Sequence, residues 1–258
     1  MTSDPGSGVN RVALVTGAGR RIGRQIALDL GRVGWDLAIH VNGSKAAAED
    51  VANTLIESGR RAVVLQGDLG RADDVATLVP RCIDALGAPS ALVNNASIFE
   101  FDDPLSMTHE SWRIHQKVNL AAPIFLSQAF ARALPTDATG NIVNIIDQRV
   151  LRPTPEFFSY AMAKAGLWNA TRMMAQAFAP RIRVNAVGPG PVLANDHQGA
   201  ADFAAEVAAT PLGRTTPPDE IAAAVRFILD APSMTGQMIA LDAGQHLTWS
   251  SERNLSGQ

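Results

Sequence analysis

RVALVTGAGRRIGRQIALDLGRVGWDLAIHV, residues Arg11 to Val41, holds one complete unit of the fold. A short run of Val, Ala and Leu with no alternating polar residues leads into a glycine-bearing turn. A segment of helical period follows, and a second apolar run closes the stretch. Such runs belong to strands buried on both faces, as in a parallel sheet covered by helices.

The unit recurs along the chain. RVALVT, WDLAIHV, RAVVLQ, ALVNNA, NIVNII, IRVNAV and QMIALD read as buried strands, with helical segments beginning near Arg21, Ser44, Arg71, Thr108, Phe158 and Pro218. Repeated β-α units predict an α/β fold, a single doubly wound domain with a parallel sheet of about seven strands. Residues 1–10 read as a flexible tail and 11–258 as the domain. The one interruption runs from Gly190 to Pro218. It is longer than an ordinary connection and rich in Ala, Thr and Pro, as a substrate loop would be.

Composition narrows the partners. With 258 residues, 47% of them apolar, the chain can bury a full core. A formal charge of -3 and the lack of a basic run argue against nucleic acid, whose affinity rests on neutralising phosphates. A small-molecule ligand is the expectation. MTSDPGSGVN lacks the charged and apolar regions of a signal peptide, and no run approaches the roughly 18 apolar residues of a membrane span. Cys82, the single cysteine, falls in a predicted helix and reads as a packed thiol, so the cytoplasm is the expected compartment. His109, His115, His197 and His246 show no metal-ligand spacing, and no metal is expected.

The first β-α turn is TGAGRRIG, Thr16 to Gly23. Gly17 and Gly23 permit a tight turn and a close helix, whose N-terminal N–H groups suit a pyrophosphate, although a plain strand-to-helix connection would look the same. NAD-binding folds place an acid at the end of the second strand to hold the ribose hydroxyl. Here that strand ends in His40, Val41, Asn42, Gly43 and Ser44, with no acid. Neutral donors there, with Arg20 and Arg21 nearby, suit a 2'-phosphate and favour NADP(H). A solvated loop that touches nothing fits the same residues.

TGAGRRIG, Asp68 after the third strand, NNAS at Asn94 to Ser97, Asn119, Tyr160 with Lys164, and VGPG at Val187 to Gly190 together resemble the short-chain dehydrogenase/reductase family. The resemblance runs from Arg11 to about Leu247 and implies a Rossmann-type fold. It implies that Gly17, Arg21, Ile22, Asp68, Leu69, Asn94, Ala96, Pro189 and Gly190 line the cofactor, a set to which Arg20, Gly23, His40, Asn42, Ser44, Ser97, Val192, Tyr160 and Lys164 are added. Asn119, Tyr160 and Lys164 would be catalytic, Asn119 helping to position a water. The family usually pairs the helices that here span Asn119 to Leu134 and Phe158 to Ala179, so a homo-oligomer, often a tetramer, is implied. Met173 and Met174 suit core or subunit packing.

Two departures point to a branch. Arg21 replaces the middle glycine of the turn, and Asp147 holds the usual catalytic serine position; with Phe99 two residues after NNAS, this resembles the pteridine reductase and dihydromonapterin reductase branch. Tyr160 and Lys164, four residues apart, share a helix face, and an ammonium near a phenol would lower its pKa toward a useful general acid. A serine hydroxyl can donate to a ketone oxygen, but an ionised carboxylate can only accept. Asp147 therefore disfavours a simple carbonyl and suits a pterin, whose N–H groups donate and whose C=N nitrogen needs a proton. The substrate set is Arg21, Ser97, Phe99, Asp147 and Tyr160, with Arg21 bridging phosphate and ring. Asp147 as a backbone cap, Phe99 as a core aromatic and Arg21 as a plain phosphate contact stay open. The expected function is NADPH-dependent reduction of a pterin-like C=N bond. A carbonyl reductase of an acyl, sugar or polyol substrate and a non-catalytic NADP-binding sensor or scaffold are the alternatives.

Overall fold

The computed structural model describes residues 11–194 and 199–248. The tail at 1–10 and His197 lie outside the described residues. Strands β1 (Val12–Val15), β2 (Asp36–Val41), β3 (Ala62–Gln66), β4 (Ala91–Asn94), β5 (Gly140–Ile145), β6 (Ile182–Pro189) and β7 (Met238–Leu241) form one sheet in the order β3-β2-β1-β4-β5-β6-β7. Every pairing is parallel. The order reverses between β1 and β4, so the strand ends diverge there and leave a crevice at their carboxyl side.

The helices are α1 (Arg21–Arg32), α2 (Lys45–Glu57), α3 (Ala72–Leu86), α4 (His109–His115), α5 (Ala122–Ala133), α6 (Phe158–Phe178), α7 (Ala200–Ala208) and α8 (Pro218–Asp230). One face of the sheet is covered by α1, α2 and α8, which bury Ile26, Leu30, Val51, Leu55, Val225 and Ile228 against it. The other carries α3, α5 and α6 through Leu78, Val79, Leu126, Phe130 and Met174. Arg226 on α8 joins Asp29 on α1 at 2.7 Å. Cys82 is packed into α3 with no exposure. Among the described residues no helix is long and apolar enough to cross a membrane.

The seven strands and the six helix starts fall where the sequence puts them. Two features do not. Between α4 and α5 the chain takes a π-helical turn, Gln116–Ala121, a wide turn that often marks a functional place. The stretch from Gly190 to Pro218 is not all loop, because its Ala-rich centre forms α7. That helix has no fully buried residue, so it leaves no apolar stripe for sequence reading to detect.

The β1–α1 turn fixes the floor of the crevice. Gly17 has a φ of +64°, and a Cβ at Gly23 would stand 2.3 Å from the Gly17 carbonyl oxygen. Backbone cannot yield as a flexible side-chain tip can. Gly23→Ala should therefore destabilise the protein by about 1–3 kcal/mol, the usual scale for overpacking, with the loss read by chemical denaturation. An unchanged midpoint would show that the helix start tolerates a wider turn.

Candidate active site

The candidate residues lie where successive strands end. After β1 come Gly17 to Gly23; at the end of β2, His40 to Ser44; after β3, Asp68 and Leu69; at the end of β4, Asn94 to Phe99; after β5, Asp147; and at the end of β6, Pro189 to Val192. Tyr160 and Lys164 stand on the first turns of α6.

The floor suits an anion. α1 starts with no side-chain cap and no acid in its first turn, which leaves its N–H groups and positive dipole end for a phosphate. Asn95, which the sequence reading passed over, holds this floor by donating to the Thr16 and Gly17 carbonyls at 2.8 and 3.2 Å. Thr16 Oγ1 in turn accepts from the N–H groups of Asn95 and Ala96 at 2.9 and 3.0 Å. Both signals were present, in the second Asn of NNAS and the Thr before the glycine. Gly190 is equally confined, since a Cβ there would stand 2.6 Å from Asp242 Cα.

Arg21 occupies the glycine position with a φ of +52°, a left-handed conformation that costs roughly 1–2 kcal/mol. Its guanidinium donates to the Leu193 and Ala194 carbonyls, each at 2.9 Å. Arg21 thus ties the β1–α1 turn to the start of the loop after β6, a use the sequence did not suggest. Val192 packs against the core beneath that loop.

His40 departs from expectation. The reading of the strand end as a set of neutral donors for a cofactor counted it in, but the ring is 1% exposed. Its Nδ1 accepts from Gly17 N at 3.2 Å while Nε2 meets Gly67 O at 3.0 Å. Both nitrogens are spent, and His40 shapes the turn from below. Asn42, Ser44 and Arg20 are exposed at the rim.

Beyond the rim, Asp68 Oδ1 accepts from Gly70 N at 2.8 Å and Leu69 is buried beside it. Asn94 is buried and donates to Asn144 Oδ1 at 2.9 Å. Asn119 lies in the π-helical turn, where its Oδ1 accepts from Ser97 Oγ at 3.1 Å and Ile98 N at 2.9 Å. Its Nδ2 donates to Ile98 O at 2.9 Å, so the side chain first of all braces the loop after β4.

At the centre Tyr160 Oη donates to Asp147 Oδ2 at 2.8 Å. Asp147 Oδ1 accepts from Arg149 N at 2.8 Å, so the carboxylate caps the local backbone and holds the phenol at once. Burial raises the Asp147 carboxyl above its ordinary range, against the opposing bond from Arg149 N. The expectation that Lys164 would lower the Tyr160 pKa is reversed. Burial, then the charge and hydrogen bond of Asp147, push the phenol well above its usual value. Lys164 Nζ donates to Ile145 O at 2.9 Å and stands 5.6 Å from the Tyr160 ring centre, within cation–π range. Burial lowers Lys164 itself to about 8, although Asp147 opposes that shift. Tyr160 stays a protonated acid.

Phe99 meets Tyr160 edge to face, with centroids 4.7 Å apart. It also stacks on Phe157 at 4.1 Å. Phe157 was not foreseen; its φ of +55° is rare for a bulky residue and leaves no trace in sequence. Of the remaining histidines, His115 is buried and His246 Nδ1 bonds Asp242 Oδ2 at 2.6 Å.

The chain has clear relatives. A family model described as enoyl-(acyl carrier protein) reductase matches residues 17–246. The structure of FolM alternative dihydrofolate reductase 1 from Brucella suis, in complex with NADP, is 46% identical, with a TM-score of 0.91, covering 94% of this chain and 98% of that one. A short chain dehydrogenase from Burkholderia cenocepacia J2315, also in complex with NADP, is 33% identical with a TM-score of 0.85, covering 90% and 96%. A 3-oxoacyl-[acyl-carrier-protein] reductase of Synechocystis is 32% identical over 238 residues, which are 91% of this chain and 96% of that protein.

His40 gives this site a pH signature. Burial lowers its pKa, so below the ordinary histidine value of about 6.5 the unfolded chain takes up a proton that the folded ring refuses. Stability should be level above that pH and fall below it. His40→Asn should reduce the acid slope by up to ~1.4 kcal/mol per pH unit, measured by denaturation between about pH 5 and 8. An unaltered slope would mean that the ring titrates normally.

Proposed function

Because the chain belongs to the short-chain dehydrogenase/reductase family, we propose that it is an NADPH-dependent reductase of a C=N bond in a pterin-like heterocycle. The observation that carries the substrate class is the 2.8 Å bond between Tyr160 and Asp147 under the Phe99 ring. The likeness to a FolM alternative dihydrofolate reductase supports it.

The residues fit the cofactor. The uncapped start of α1 and the backbone of Gly17 to Gly23 would hold the pyrophosphate. Asn42, Ser44 and Arg20 would meet a 2'-phosphate, and Asp68, Leu69, Asn94, Ala96, Pro189, Gly190 and Val192 would line the rest. NADPH bound there supplies a hydride. A C=N carbon that takes the hydride leaves a nitrogen that needs a proton. Tyr160, kept protonated by burial and by Asp147, can give it, and a proton from solvent then restores the phenol; alternatively Asp147, whose carboxyl burial raises, takes up a solvent proton first and gives that one to the nitrogen. Asp147 can also accept from the ring amino and N–H groups. An ionised Asp147 beside the oxyanion of a reduced ketone would oppose the reaction. Phe99 would offer an aromatic surface to the ring, and Arg21 holds the start of the loop after β6.

The proposal extends to assembly and setting. Phe125 on α5 and Met162 and Met173 on α6 are 58%, 46% and 68% exposed, apolar surface of the kind that helices bury across a two-fold axis. A homo-oligomer, most simply a tetramer, would cover it. The single cysteine, Cys82, can form no internal disulfide, which fits a reducing compartment such as the cytoplasm.

Dihydropterins, dihydrofolate, cyclic imines and 3-oxoacyl ketones assayed side by side for NADPH oxidation test the substrate. The C=N compounds should have the highest kcat/KM, and a ketone with the highest value would overturn the reading in favour of the carbonyl chemistry named for the Synechocystis relative. NADPH should bind at least about tenfold more tightly than NADH, a preference of ~1.4 kcal/mol, and Asn42→Asp should erode it by repelling the 2'-phosphate. Equal dissociation constants for the two would contradict this assignment.

A further inference from the structure

A second buried carboxylate stands behind Tyr160, outside every step given above. Asp102, in the irregular loop between β4 and α4, is 3% exposed. Its Oδ1 accepts from Ser159 N at 2.9 Å and its Oδ2 from Ser111 Oγ at 2.9 Å. Its backbone carbonyl accepts from Phe158 N at 3.1 Å.

These bonds meet a need of α6. The N-cap of that helix is Phe157, which has no side-chain oxygen, and the helix has no acid in its first turn. Asp102 supplies the missing cap from another segment and places its negative charge at the positive end of the helix dipole. The residue after Ser159 is Tyr160, so the capped turn is the one that carries the phenol. The same loop carries Phe99, whose ring meets Tyr160 edge to face. His115 on α4 ties the loop again, with Nε2 accepting from Glu100 N at 3.4 Å and Nδ1 meeting Ser111 O at 2.7 Å.

We propose that Asp102 is a positioning residue for the proton donor: by capping α6 from the β4–α4 loop it sets Tyr160 against Asp147 and holds Phe99 over the same site. This rests on Tyr160 being the acid of the proposed reduction. Burial by itself would raise the Asp102 carboxyl, but the bonds from Ser159 and Ser111 outweigh it and hold the group below its usual range. The cap is therefore ionised at neutral pH. An ordinary cap would affect stability alone, whereas a positioning cap changes the phenol.

Tyr160 is the one tyrosine of the chain, so the tyrosine doublet of the ultraviolet resonance Raman spectrum reports the hydrogen bond of that phenol alone, at neutral pH. Asp102→Ala should move the doublet from that of a phenol donating to a carboxylate toward that of a phenol in water. It should also lower kcat by roughly 10²-fold, the scale of a small misplacement, while NADPH binding changes much less. Asp102→Asn keeps an oxygen for Ser159 N and should recover most of both effects. If Asp102→Ala fails to fold, Ser111→Ala, which removes one of the two side-chain bonds, should shift the doublet in the same direction by less. The proposal is overturned if a folded variant keeps the wild-type doublet, if kcat well below the melting temperature is untouched, or if NADPH binding is lost in parallel. A protein that reduces no C=N compound but shows the shifted doublet would end the proposed reduction and leave the role of Asp102 standing.

Discussion

A phenol that gives its hydrogen bond to a buried carboxylate is the constraint on which the site turns. Tyr160 and Asp147 meet at 2.8 Å: burial raises both groups, and the charge and hydrogen bond of Asp147 raise the phenol further, while the bond from Tyr160 works the other way on the carboxyl and only partly offsets its burial. The pair therefore holds at least one proton, which in the proposed reduction is the one the substrate nitrogen would take. Lys164 leaves the phenol raised: its ammonium donates to the Ile145 carbonyl, burial weakens it, and its charge acts on Asp147, which it lowers. A site so arranged is suited to giving a proton and unsuited to hosting a further negative oxygen.

The fold makes that meeting possible. Asp147 follows β5 and Tyr160 opens α6, so the pair forms only because the crossover between β5 and β6 returns along the sheet. The β1–α1 turn lies across the switch point from it, pinned by His40 from β2 and Asn95 from β4. Phosphate floor and proton donor are thus fixed by neighbouring strand ends of one rigid sheet. Two side chains tie these strand ends to the segments that follow, Arg21 to the loop after β6 and Asp102 to α6.

Much of this was legible in the sequence because parallel strands leave continuous apolar runs and helices leave spaced ones. All seven strands and the helix starts after Arg20, Ser44, Arg71, Thr108, Phe157 and Pro217 followed from those patterns. The acid at Asp147 and the Tyr160–Lys164 spacing were equally visible, but their electrostatics were not. The sequence places the ammonium on the same helix face as the phenol and cannot say that the carboxylate is the closer neighbour. His40 was misjudged for a similar reason, since its burial depends on Gly17 and Gly67, far from it in the chain. Phe157 and Asp102 were missed because a left-handed backbone angle and a cap supplied by a distant loop carry no local signature. The helix at α7 escaped because it has no buried side.

The central claim is that Asp147 selects the substrate through the proton it shares with Tyr160, and Asp147→Ser tests it most directly. Folding and NADPH binding should survive, because the residue lies at a strand end facing the crevice. Turnover of a pterin-like C=N substrate should fall by roughly 10²-fold, the scale of losing a positioned acid, while simple ketones hold or gain as a donor replaces an acceptor. A pterin-to-ketone activity ratio that stays the same in Asp147→Ser would contradict the account and leave Asp147 as a backbone cap.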